Sequence, residues 1–120
     1  MPSAASIIIV DDNSQILGFF KRVLENHGYL VTALNSGAKA LSAAQAGAFN
    51  LMILDLSMPE MDGFEVLKSV RSLLPDLKVL VVSGLMDGSL VSAAELYGAA
   101  GALAKPVRPK VLLEAVHRLL

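Results

Sequence analysis

The chain has 120 residues, enough for one domain with a single sizeable core and too few for two. Apolar residues make up 54% of it, the formal net charge is −1 and no Lys/Arg run occurs, which argues against direct contact with nucleic acid or an acidic membrane. Without cysteine there are no disulfides, thiolate metal sites or cysteine nucleophile; without a signal-like start or an apolar run long enough to span a bilayer, a soluble cytoplasmic domain is expected.

Ile7–Val10 is an unbroken β-branched run closed by Asp11-Asp12-Asn13, the signature of a buried strand. Ser14 to His27 then places Ile16, Leu17, Phe20, Val23 and Leu24 at helical spacing, with Gly28 as the stop. His27, and His117 later in the chain, fall near helix C-termini, where an imidazolium interacts favourably with the helix dipole. Leu30–Leu34 reads as a second strand and Ser36 to Ala46 as an Ala-rich helix ended by Gly47.

Leu51–Leu54 is a third strand, apolar on both faces and closed by Asp55. Met58-Pro59 and Asp62-Gly63 punctuate a loop, after which Phe64 to Leu74 is helical up to Pro75. Lys78–Val82 is the fourth strand, closed by Ser83-Gly84, and Asp87 or Ser89 caps a helix running to about Tyr97. Ala100–Ala104 is a fifth, weaker strand ending at Lys105-Pro106, and a last helix begins near Pro109. Five βα units with doubly apolar strands predict a doubly wound α/β fold: a five-stranded parallel sheet with right-handed crossovers and helices on both faces.

Each of four strands thus ends on polar residues: Asp11 and Asp12, Asp55, Ser83, and Lys105. In a parallel sheet all carboxyl ends share one edge. In strand order 2-1-3-4-5 the first and third strands are neighbours where the winding reverses, and ligands bind in that crevice. Asp11, Asp12 and Asp55 would form one acidic pocket flanked by Ser83 and Lys105. Clustered carboxylates repel, and a hard cation with oxygen ligands relieves this. Mg²⁺ suits the set, because it accepts one or two carboxylates and keeps positions for water and phosphate oxygens. A carboxylate held beside such a cation, an ammonium and a hydroxyl can accept a phosphoryl group, since that transfer is mostly positioning and electrostatics.

Taken alone, Asp11-Asp12-Asn13-Ser14 reads as a helix N-cap and Ser83-Gly84 as a turn. Together, Ile7-Ile8-Ile9-Val10-Asp11-Asp12, Leu54-Asp55-Leu56-Ser57-Met58-Pro59, Asp62-Gly63, Val82-Ser83-Gly84 and Gly98-Ala99-Ala100-Gly101 with Lys105-Pro106 resemble the receiver domain of two-component response regulators. The likeness runs from about Ser6 to Leu120. It implies a flavodoxin-like (βα)5 domain over 1–120, with 1–5 a disordered lead and the ordered fold from about 6.

It implies Asp55 as phosphoacceptor, with Mg²⁺ held by Asp12 and Asp55 directly, by Asp11 mainly through water, and by the Ser57 backbone carbonyl. Ser83 would turn its hydroxyl to the phosphoryl oxygen and Lys105 would pair with it. Pro106 would follow a cis peptide, and Gly84 would leave a path for the donor histidine. The implied donor is a sensor histidine kinase or histidine phosphotransfer protein. The domain would catalyse only its own phosphorylation and dephosphorylation, feeding an output the sequence does not identify.

Three features depart from the family pattern or vary within it. Ala102 stands where the family often has an aromatic switch residue, with Tyr97 on the preceding helix the candidate replacement. Ser57 and Leu85 occupy positions that tune hydrolysis, and an apolar Leu85 would shield the phosphoryl group from water. Between Asp87 and Tyr97 there is no basic residue, only Glu95, which argues against the charged dimer face of one transcription-factor subfamily. Among rival readings, a haloacid-dehalogenase-type phosphatase requires an acid where Ser57 stands. A flavodoxin-like cofactor binder requires a hydroxyl- and glycine-rich loop where Asp11-Asp12 stand. A non-phosphorylated receiver-like module would have lost one of the polar groups retained here.

Overall fold

The computed structural model describes residues 4–56, 63–84 and 88–120. Five strands alternate with five helices: β1 (Ser6–Val10), α1 (Ser14–Glu25), β2 (Leu30–Leu34), α2 (Gly37–Ala46) and β3 (Leu51–Asp55). They continue as α3 (Gly63–Leu73), β4 (Lys78–Ser83), α4 (Gly88–Leu96), β5 (Gly101–Ala104) and α5 (Pro109–Leu119). All strand pairs are parallel, as the alternation predicts, and their order is β2-β1-β3-β4-β5, the doubly wound order expected for the chain.

The period-2 alternation of strand side chains sorts the core into two layers. Ile8, Val10, Met52, Leu54, Val79 and Val81 pack under α2, α3 and α4, meeting Ala40, Ala44, Val66, Leu67, Val70 and Ala94. Ile7, Ile9, Leu51, Ile53, Leu80 and Val82 pack under α1 and α5, meeting Leu17, Phe20, Leu24, Leu112, Ala115 and Val116. Because β1, β3 and β4 are covered on both sides, their sequences are apolar without alternation. The edge strand β2 differs: Leu30 and Thr32 are exposed, so its apolar run fills only part of a covered face.

α1 ends two residues before His27. His27 N–H donates to the Leu24 carbonyl and Gly28 N–H to that of Glu25, tighter i→i−3 bonds that close the last turn, and Gly28 adopts φ 89°. The His27 ring does sit at the helix end, with Nδ1 3.0 Å from the Val23 carbonyl oxygen. α4 begins at Gly88, so Ser89 lies within the helix rather than capping it, while Asp87 lies outside the described residues. Among the described residues no helix is long and apolar enough to cross a membrane.

Candidate functional site

Strand register decides which polar side chains meet. Val10 pairs with Leu54, so Asp11 and Asp55 are the next residues on adjacent strands; Asp55 pairs with Val82 and Ser83 with Ala104, bringing Ser83 and Lys105 to the same edge. Carboxylate oxygens of Asp11, Asp12 and Asp55 lie within 4.8 Å of one another. Asp11 and Asp55 are each 3% exposed and Ser83 is fully buried, whereas Asp12 is exposed. Three of the four strand-ending positions are therefore acidic or polar groups buried at a sheet edge, where burial of such groups demands a partner.

That partner is in part Lys105. Its Nζ lies 2.8 Å from Asp11 Oδ2 and 3.5 Å from Asp55 Oδ2, with a side chain 19% exposed. Its backbone N–H donates to the Ser83 carbonyl, which fixes the loop that carries the ammonium, and the following bond to Pro106 is cis. One ammonium set against three carboxylates leaves the cluster with net negative charge. All three acids supply hard oxygen donors, a set that fits a cation such as Mg²⁺ or Ca²⁺ and not a thiolate-loving metal.

The helix-capping role that Asp11-Asp12-Asn13-Ser14 could have served falls to Asn13. Its side-chain oxygen accepts from the Gln15 and Ile16 N–H groups, while its own N–H donates to Asp11 Oδ1 at 2.9 Å. Asp12 is thereby spared from capping and, among the described residues, its side chain has no hydrogen-bond or ion-pair partner. This leaves its carboxylate available to a cation.

Gly63 supports the site, a role that neither its reading as loop punctuation nor its place in the Asp62-Gly63 motif assigned to it. A Cβ there would collide with the Leu56 Cα and lie 2.8 Å from the Asp55 carbonyl oxygen, so only glycine lets α3 start against the end of β3. A glycine following an acidic strand end and opening an apolar-periodic helix was the available signal. At Gly84, by contrast, a Cβ would meet nothing within 4 Å among the described residues. Ala102 is half-buried against the α2–α3–α4 layer. Tyr97 is engaged with α3: its ring is edge-on to Phe64 with centroids 5.7 Å apart, and Lys68 Nζ lies 4.9 Å from its centroid. Ser57 and Leu85, with Met58, Pro59, Met61 and Asp62, lie outside the described residues.

A family model, the response regulator receiver domain, matches residues 7–117. The chain is 31% identical over 114 residues to the response regulator receiver protein CpdR of Brucella abortus, covering 95% of each. Chemotaxis protein CheY4 of Vibrio cholerae superposes with a TM-score of 0.92 at 33% identity, over 98% of this chain and 99% of that one. A response regulator from Burkholderia pseudomallei, crystallised with a phosphorylated aspartic acid, calcium ion and citrate, gives a TM-score of 0.86 at 30% identity, over 92% of this chain and 65% of that one. Longer matches include transcriptional regulatory proteins, of which this chain spans about a quarter, and a hybrid signal transduction histidine kinase. The chain belongs to the response regulator receiver domains of two-component signal transduction.

Proposed function

We propose that this receiver domain accepts a phosphoryl group on Asp55 from a phosphohistidine, with Mg²⁺ bound by the acidic cluster. The observation that carries the reading is the meeting of Asp11, Asp12 and Asp55 within 4.8 Å, with the Lys105 ammonium bridging two of them. Asp11, Asp12 and Asp55 would hold the cation, with the Ser57 carbonyl the further ligand that the family resemblance implies. Once bound, Mg²⁺ supplies positive charge against the phosphoryl oxygens.

An Asp55 carboxylate oxygen attacks phosphorus in line, forming the P–O bond of an acyl phosphate. The P–N bond to the donor imidazole breaks and its electron pair stays on the nitrogen, so no external co-reactant is consumed. Lys105 exchanges its contact with Asp11 for the incoming phosphoryl oxygens, and the Ser83 hydroxyl donates to another of them. Among the described residues nothing crowds Gly84, which suits the approach of a donor side chain. The Burkholderia relative with its phosphorylated aspartic acid supports this assignment by analogy.

The donor is a sensor histidine kinase or a histidine phosphotransfer protein in the cytoplasm. The domain acts as a signalling phosphoacceptor that catalyses only its own phosphorylation and dephosphorylation. Phosphorylation shifts it between inactive and active conformations. The test is intact mass after incubation with Mg²⁺ and acetyl phosphate. One phosphoryl increment is expected for the wild type and none for Asp55→Asn. An undiminished increment in that variant overturns the assignment.

A further inference from the structure

A second concave region lies away from the acidic cluster. The turn from α1 into β2 and the outer face of α5 enclose a cleft of about 600 Å³, lined by His27, Tyr29, Lys110, Leu113, Glu114 and His117. That volume is within the range of small-molecule sites. The four α5 residues follow i, i+3, i+4, i+7 spacing, so they form one stripe along the helix. Tyr29 and Leu113 are partly buried against the α1–α5 core layer and supply apolar walls.

The rim chemistry is one-sided. Lys110, His27 and His117 bring nitrogen groups to the cleft, against a single carboxylate on Glu114. Among the described residues, the side chains of Tyr29, Lys110, Glu114 and His117 make no hydrogen bond or ion pair with protein groups. Lys110 and Glu114 are four apart on one helix and still do not pair, so the ammonium remains for another anion. The His27 ring is fixed by Nδ1–H donating to the Val23 carbonyl, so its Nε2 is an acceptor and the ring serves as a wall of the cleft, leaving Lys110 and His117 as the donors.

We propose that this cleft binds a small organic anion: an apolar, aromatic or alkyl body seated on Tyr29 and Leu113, with a carboxylate or sulfonate held by the Lys110 ammonium and a ring N–H of His117. The site would be independent of the phosphoacceptor chemistry, since none of its residues belongs to the acidic cluster. A ligand there would tie the α1–β2 turn to α5, two elements that otherwise meet through the core.

The probe is 8-anilinonaphthalene-1-sulfonate, titrated into the whole chain and followed by fluorescence and by backbone amide shifts. Saturable binding is expected, with a dissociation constant on the order of a millimolar or tighter. The shifts should be centred on Tyr29, Leu113 and His117. Lys110→Glu should weaken binding roughly three- to tenfold, and Glu114→Gln should tighten it about two- to threefold, a gain that loss of structure cannot produce. The uncharged N-phenyl-1-naphthylamine should bind more weakly, and inorganic phosphate, having no apolar body, should not compete. The proposal is overturned by shifts centred on the acidic cluster or on a separate groove that Ile16, Phe19 and Pro106 line, by absence of saturable binding, or by affinities that ignore both charge changes.

Discussion

The two edges of the sheet use the same five strands to opposite ends. At the amino edge, polar groups close on one another. Ser6 N–H donates to Asn50 Oδ1 at 2.8 Å, Asn50 N–H donates to the Ser6 carbonyl at 2.8 Å, and Lys78 Nζ donates to the Leu119 carbonyl at 2.7 Å. The last places an ammonium at a helix C-terminus, where the dipole favours it. At the carboxyl edge, three acids face one another with a single bridging ammonium. One edge satisfies its polar groups internally; the other keeps like charges together, an arrangement that costs stability and leaves affinity for a cation and a phosphoryl group.

The sharpest way to break that contrast is Asp55→Asn. Removing one buried charge from the cluster should abolish phosphoryl uptake entirely, read as loss of the mass increment. The unfolding midpoint in Mg²⁺-free buffer should stay level or rise, because repulsion falls. A variant that loses both activity and stability would mean that Asp55 contributes to the fold as the amino-edge groups do.

Gly63→Ala comes next. The added methyl group has no room between α3 and the Asp55–Leu56 backbone. Overpacking of this kind should destabilise by about 1–3 kcal/mol, visible in urea unfolding. It should also slow phosphorylation by acetyl phosphate, because the end of β3 must shift. Unchanged stability would show that α3 slides away freely and that Gly63 does not fix the site.

On the amino edge, Asn50→Ala should remove a single exposed hydrogen bond to the Ser6 N–H, costing about 0.5–1 kcal/mol. Uptake of phosphate should be untouched. The pair Asn50→Ala and Asp55→Asn thus separates the edges by opposite signs: stability without function in one, function without stability in the other.

The legible part of this molecule is the part in which adjacency in sequence becomes adjacency in space through a regular rule. Doubly apolar runs gave β1, β3 and β4, and parallel order then carried Asp11, Asp12, Asp55, Ser83 and Lys105 to one edge with no pairwise information needed. What the residues withheld was local competition among near-equivalent groups. Asp11, Asp12, Asn13 and Ser14 can all cap a helix, and only backbone geometry selects Asn13 and spares Asp12. Lys105 reaches this edge as expected, but the sequence does not say which acid its ammonium meets first: it is nearer to Asp11 than to Asp55. The half-wet face of β2 was hidden for a different reason: Leu30 and Thr32 lie at the sheet edge, and an apolar run does not announce its own exposure.

Lys105→Met has the smallest expected effect on the contrast and the most informative one. Lys105 Nζ at 2.8 Å from a nearly buried Asp11 competes with any divalent cation for that carboxylate. Replacing the ammonium by an uncharged stem of similar length removes the competitor and raises the negative charge of the cluster. Mg²⁺ affinity, read from the amide shifts of Asp11, Asp12 and Asn13 during a Mg²⁺ titration, should therefore rise roughly two- to fivefold. Phosphorylation at saturating Mg²⁺ should fall, because the ammonium proposed to meet the phosphoryl oxygens is gone. The two readouts move in opposite directions only if Lys105 holds the place of the cation before phosphorylation and serves the phosphoryl group after it. If Mg²⁺ affinity falls along with phosphorylation, Lys105 instead organises the carboxylates for the metal, and the carboxyl edge would be closer in kind to the self-satisfied amino edge.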